Sequence, residues 1–231
     1  MKNNMRKMKG FTLVELLIVI ALIAILSVAV LATINPIEQS NKAKDSTVQN
    51  DAAEVMNAYE RYYTVKNTYP WMDTLTGGVA NSDLAWIGTS RMLGAGLCST
   101  DVGGAVPTTE CSAYNLRGSL IKNDELKDSF LGKGYTSLSA DDPNYSAENF
   151  LVVDKKPVGS GNSVYVCYIP RAKSNRTNTS VLYKPDVTVE GEIVSLTRVE
   201  SSDPTVFDAD GTALVAWDFT TIAKSLFKCV P

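Results

Sequence analysis

Residues Phe11 to Ile34 read FTLVELLIVIALIAILSVAVLATI, 24 residues with a single charge, Glu15. About 20 such residues span the hydrocarbon of a bilayer, so the run is long enough to cross one. Sixteen of the 24 are Phe, Leu, Ile or Val. On the insertion scale they contribute about −5 to −10 kcal/mol, against roughly +3 for one central carboxylate, so the segment is expected to enter a membrane despite Glu15. Lys2, Arg6, Lys7 and Lys9 precede it with no acid among them. Positive-inside asymmetry keeps this leader cytoplasmic and sends everything after Ile34 to the outer side. The whole chain carries a formal charge of −3; without those ten residues 18 Lys+Arg face 25 Asp+Glu, a charge of −7.

A secretory signal peptide would end at small residues such as Val30-Leu31-Ala32, but its apolar stretch is shorter than this one. An ordinary anchor has no use for a carboxylate four residues inside its apolar start. Ionisable groups at membrane depth are costly and have partners. The stretch Lys9-Gly10-Phe11-Thr12-Leu13-Val14-Glu15-Leu16-Leu17-Ile18-Val19 resembles the class III signal of type IV prepilins and pseudopilins. The resemblance covers about 25 residues. It implies cleavage between Gly10 and Phe11 by a prepilin peptidase that also N-methylates Phe11, retention of the apolar helix in the mature protein, and polymerisation on an inner-membrane assembly platform. Pilus-forming relatives commonly carry a helix breaker and a glycine within the span, where this chain has Ala32 and Ala24.

The role expected of Glu15 also has a physical basis. Cleavage creates an amine at Phe11, and where water is excluded, pairing a carboxylate with the terminus of a neighbouring copy offsets the desolvation of both charges. Glu15 and Phe11 thus read as an assembly pair that fixes the axial register of packed helices.

Beyond the span, Asn35-Pro36 predicts a kink or a short melted stretch, because Pro36 lacks an N–H and disfavours helix at Asn35. From Ile37 to Lys66, Val48, Ala52, Val55, Met56, Tyr59, Tyr62 and Tyr63 recur at helical spacing with Asp45, Asn50, Asp51, Asn57 and Arg61 between them. The stripe is expected to pack on the chain's own head rather than on another copy. Helical throughout, Phe11 to Lys66 would run about 84 Å, too long for a compact domain, until Asn67-Thr68-Tyr69-Pro70 stops it. Four segments follow: a cleaved leader 1–10, a membrane and assembly helix 11–35, an amphipathic half 36–67 and an extracellular head 68–231. In the head, short helices are expected near 82–93 and 113–128. Strands are expected over Phe150–Val153, Ser163–Ile169, Ser180–Tyr183, Val187–Val199 (with Gly191 as turn or bulge) and Thr212–Trp217. The fold class is α+β, a long N-terminal helix packed on an antiparallel sheet.

Cys98, Cys111, Cys167 and Cys229 all fall in the part expected outside, where thiols oxidise. Of the three connectivities, Cys98–Cys111 with Cys167–Cys229 is preferred because it staples the C-terminal end onto the sheet. The chain has no histidine, which removes the commonest general base, His-containing triads and His-ligated zinc. No enzyme activity and no resident cofactor are expected. Asp203, Asp208 and Asp210 offer hard oxygens to calcium, but the EF-hand pattern is absent and Asp210-Gly211 reads as a hairpin turn. Arg171, Lys173 and Arg176 read as a solvated loop, so no specific nucleic-acid partner is expected.

The leading reading is a structural subunit of a type IV pilus or pilus-like filament: first a single-pass membrane protein with its head outside, then part of an extracellular or periplasmic homopolymer or mixed filament. A minor pilin or a pseudopilin of a type II secretion or DNA-uptake system shares the same N-terminus. From another class, the head would be a membrane-anchored binding or hydrolytic domain.

Overall fold

The computed structural model describes residues 10–33, 35–75, 85–90, 93–97, 117–134, 151–156, 164–177, 179–187, 193–200 and 225–230. It has two compact units, 1–40 and 41–231. The first contains helix α1, Leu13–Thr33, and the first turn of helix α2, Pro36–Lys66.

In the second unit, α2 ends where Asn67 adopts a left-handed conformation at φ 56° and donates its N–H to the Tyr63 carbonyl at 2.7 Å, an end that asparagine tolerates better than most residues. A short helix α3, Pro70–Leu75, follows. The remaining elements are strand β1 (Trp86–Thr89), helix α4 (Ser119–Lys122), β2 (Val152–Lys155), β3 (Val164–Tyr168), β4 (Tyr183–Val187), β5 (Ile193–Arg198) and β6 (Lys228–Val230). The main sheet runs β1-β2-β3-β6, and β4-β5 forms a separate hairpin. Every pairing is antiparallel. The layout is α+β, with α2 against an antiparallel sheet.

Both faces of that sheet are covered. Leu151, Val153, Val164, Val166 and Tyr168 join Ala52, Val55, Ala58, Tyr59 and Tyr62 of α2 in one core. Val152, Cys167 and Ile169 point the other way and join Leu196 of β5 and Phe227. The register agrees, setting Val153 opposite Val166 and Val152 opposite Cys167. Two buried faces explain why Leu151-Val152-Val153 and Val164 to Ile169 are near-continuous apolar runs. The predicted stripe on α2 does pack on the head: Tyr59 and Tyr62 are buried, and Val48, Met56 and Tyr63 are half-buried against the same core. Its end forms an aromatic ladder, with Tyr63 on Tyr69 (4.7 Å), Tyr69 on Trp71 (4.6 Å) and Trp71 edge-on to Tyr59 (5.4 Å). Burial raises the pKa of the Tyr59 phenol, which stays protonated and donates to the Ala95 carbonyl at 2.6 Å. That carbonyl sits beside Gly96, whose φ of +70° and contact with Pro70 and Ser119 leave no room for a side chain.

Several elements differ from expectation. The helix expected near 82–93 is in its described part strand β1, because Trp86, Ile87 and Thr89 are strand-forming residues laid along the edge of β2. The helix expected near 113–128 is, in its described part, a single turn, α4. Asp124 at φ 61° ends it, and the Glu125 N–H closes back on the Leu120 carbonyl at 2.9 Å. The strand expected over Ser180–Tyr183 instead starts at Tyr183 and passes through Pro185, a residue tolerated in a strand at a sheet edge. The single strand Val187–Val199 is the end of β4 plus β5; Gly191, like strand Thr212–Trp217, lies outside the described residues.

Candidate functional site

Gly10, Phe11 and Thr12 precede the helix without belonging to it. No heavy atom outside the adjoining chain lies within 4 Å of where a Gly10 Cβ would stand, and Phe11 is 83% exposed. The Gly10–Phe11 peptide is therefore an accessible bond in non-helical chain immediately before a helix.

Thr12 begins that helix as its N-cap. Its carbonyl accepts the Leu16 N–H at 3.2 Å, and its hydroxyl accepts the Glu15 N–H at 3.2 Å. The Glu15 carboxylate reaches back, with Oε2 accepting both the Thr12 N–H and the Thr12 hydroxyl at 2.8 Å. This is a reciprocal capping box. The sequence reading missed it, although Thr12-Leu13-Val14-Glu15 has the Thr-x-x-Glu signature. Glu15 thus has a partner in its own chain, and its carboxylate is held one residue from Phe11. Downstream, the only side-chain hydroxyl between Leu13 and Leu31 belongs to Ser27, and it donates to the Ile23 carbonyl at 2.8 Å. Leu13–Leu31 is long and apolar enough to cross a membrane, at a mean hydropathy of 3.0, and its Leu, Ile and Val side chains are largely uncovered.

The second feature is the break before Pro36. Pro36 is the first residue of α2 rather than a kink inside a helix. The Asn35 Oδ1 accepts the Glu38 N–H at 3.2 Å, and the Asn35 carbonyl accepts the Gln39 N–H at 3.2 Å. An Asn N-cap with Pro at the next position is a helix start. The proline that cannot continue one helix is pre-set to open another.

On α2, two acids set between the apolar positions of the stripe are docking groups. Asp45 is buried and accepts the backbone N–H groups of Arg171 (2.7 Å) and Ala172 (2.9 Å) and the Asn175 side-chain amide (2.7 Å). Lys228 in turn donates to Asn175 Oδ1 at 3.1 Å. Asp51 takes Lys133 Nζ on both oxygens at 3.1 Å, and Arg61 pairs with Glu125 at 3.0 Å. Arg171, Lys173 and Arg176 therefore belong to a loop tied down by Asp45. Burial, with the Asp45 charge second, pushes the Tyr168 phenol up to about 12. Hydroxyls of Ser195 and Thr197 on β5, both 2.6 Å from Asp186 of β4, hold its carboxyl below the usual range, with Lys184 and Lys156 adding to them. Cys167 and Cys229, directly opposite in β3 and β6, form a disulfide. Cys98, Cys111 and the calcium candidates Asp203, Asp208 and Asp210 lie outside the described residues.

Residues 5–31 match the family model described as the prokaryotic N-terminal methylation motif. No curated protein and no solved structure matches the chain. The match ends inside α1, so it speaks for the capped helix and its processing bond and not for the head. The N-terminus carries the class III signal of type IV pilins and pseudopilins.

Proposed function

We propose that this chain is a structural subunit of a type IV pilus or pilus-like filament, cleaved between Gly10 and Phe11, N-methylated at Phe11, and polymerised through α1. The observation that carries the reading is the capped, uncovered apolar helix directly after an accessible Gly-Phe bond, within the segment that matches the methylation motif. Such a helix needs apolar surroundings. A bilayer supplies them before assembly and the helices of other copies supply them afterwards. The partners are a prepilin peptidase, an assembly platform and other pilin-like subunits.

In the filament, Glu15 pairs with the Phe11 amine of a neighbouring copy. The capping box prepares this pairing by drawing the carboxylate back to the helix start, while both described hydrogen bonds fall on Oε2. A carboxylate has acceptor capacity on both oxygens, so the amine can be met without uncapping the helix.

Intact mass and N-terminal sequencing of the mature protein test the processing step. A chain beginning at N-methylated Phe11 is expected. One beginning at Thr33, or an uncut Met1 chain found in the membrane, overturns it. Glu15→Ala should insert into membranes as the parent does and fail to enter filaments; filaments of normal yield from that variant would refute the assembly role.

A further inference from the structure

The second face of the main sheet holds an open cavity of about 140 Å³ where the β4-β5 hairpin crosses it, lined by Asp154, Lys156, Tyr165, Tyr183 and Cys229. Asp154 and Tyr165 are cross-strand partners, so they stand side by side on one face. Tyr183 faces them from the start of β4, and Cys229 contributes its half of the disulfide. Lys156 closes one end. Its ammonium donates to Asp154 Oδ2 at 2.8 Å and to the Leu196 carbonyl of β5 at 3.1 Å, which leaves a third N–H.

The chemistry of this lining is specific. The Asp154 side chain is only 8% exposed, yet among the described residues its one hydrogen-bonding partner is Lys156, on a single oxygen. A carboxylate this buried is costly unless its remaining acceptor sites meet donors. The cavity is where such donors would come from. The two charges in its lining balance, Asp154 against Lys156, so neither a free anion nor a free cation gains overall. A cation at Asp154 would also meet the Lys156 ammonium 2.8 Å from the same carboxylate. What fits is a neutral ligand with adjacent hydroxyls, one donating to Asp154 and one accepting from Lys156, and with an apolar face for the two tyrosines. The volume suits one six-membered ring.

We propose that this cavity is a binding site for a neutral hexopyranose, the ring of a free sugar or one residue of a glycan. The inference is independent of the filament reading, since it concerns the head alone.

The test is ligand-observed saturation-transfer NMR and titration on the full-length chain in detergent. The probes are the methyl glycosides of glucose, galactose and mannose, a neutral oligosaccharide of each, and lysine methyl ester as a cationic control. At least one glycoside should bind with a dissociation constant on the order of 1 mM, as a single ring does. Asp154→Asn should weaken it at least tenfold, and Tyr183→Leu likewise. Tyr183→Phe, which keeps the ring, should weaken it less than Tyr183→Leu. Each variant is compared only if its melting curve matches the parent's, and the three together keep a readable variant if one misfolds. Tighter binding of the oligosaccharide than of the glycoside assigns a glycan; equal binding assigns a free sugar. The proposal fails if no glycoside binds at tens of millimolar, if binding survives Asp154→Asn unchanged, or if the cationic control binds more tightly than every sugar.

Discussion

The helix α1 and the head are built from the same kinds of residue used in opposite ways. From Leu13 to Leu31 the Leu, Ile and Val side chains are more than 40% exposed, Leu13 at 79% and Leu31 at 70% among them, whereas Val55 of α2 and Trp71, Leu151 and Val166 of the head are at 0%. The polar groups differ as well. In α1 they are satisfied within one turn, Thr12 with Glu15 and Ser27 with Ile23. In the head they reach across the chain, Asp45 to a loop about 126 residues away and Arg61 to Glu125, 64 residues away. A segment whose hydrogen bonds are local and whose apolar surface is bare can change surroundings without losing its structure, provided the new surroundings are apolar too. The head has its own core and needs no such surroundings. Perturbations should therefore separate the two regions.

The largest separation is expected from Trp71→Ala. Trp71 is fully buried and joins Tyr69 to Tyr59 in the aromatic ladder, and deletion of a core tryptophan costs about 3–5 kcal/mol. The head should melt markedly lower or fail to fold, with membrane insertion of α1 unchanged in a carbonate-extraction assay. Loss of insertion in that variant would show that the two regions are not energetically separate. Reducing the Cys167–Cys229 bond comes next. It closes a loop of 62 residues, for which restriction of the unfolded chain is worth about 4 kcal/mol in the entropic model and commonly 2–4. Denaturant midpoints with and without reductant measure it, and α1 should again be unaffected.

Asp45→Ala leaves two backbone N–H groups and the Asn175 amide without their carboxylate, an expected loss of about 2–3 kcal/mol. It should also shift alkaline behaviour. The neutral Tyr168 phenol contributes stability that is present in full below its ordinary value of 10.0 and is lost as pH rises through about 12. Because Asp45 is one cause of the shift, Asp45→Ala should lower the pH at which Tyr168 ionises, read by phenolate absorbance against Tyr168→Phe. An unchanged titration would mean that burial alone sets it.

These residues also mark what the sequence makes legible. The apolar run, the stripe on α2 and the α+β class depend on periodicity and length, which the chain displays residue by residue. Asp45 and Asp51 show no such pattern. Each sits between apolar positions as a surface acid would, and only the arrival of Arg171, Ala172, Asn175 or Lys133 from distant sequence makes it a docking group. Strand β1, Trp86–Thr89, is too short for periodicity to decide between helix and strand, and pairing with β2 decides it. The two helix caps are a different matter. Thr12-x-x-Glu15 is a capping-box pattern and Asn35-Pro36 an N-cap followed by a proline at the first helical position, and both stand in the chain residue by residue.

Those two caps give the smallest effect and the sharpest comparison. Asn35→Ala removes the acceptor of the Glu38 N–H, and in water the exposed amide finds solvent, so the loss is about 1 kcal/mol. Hydrogen exchange at Glu38 should quicken about fivefold in consequence, while Asn35→Asp should leave it nearly unchanged. Thr12→Ala makes the same chemical change at the start of α1 and also strips the Glu15 carboxylate of its partner hydroxyl. Where a bilayer or a filament core keeps water away, the freed groups have nothing to replace the lost bonds, and the cost rises accordingly. Exchange at Glu15 in vesicles should therefore respond to Thr12→Ala by clearly more than fivefold, and in detergent with a hydrated helix start the two caps should converge. Equal responses in vesicles would place the start of α1 in water, and the contrast between a region that borrows its surroundings and one that makes its own would not extend to the helix end where cleavage occurs.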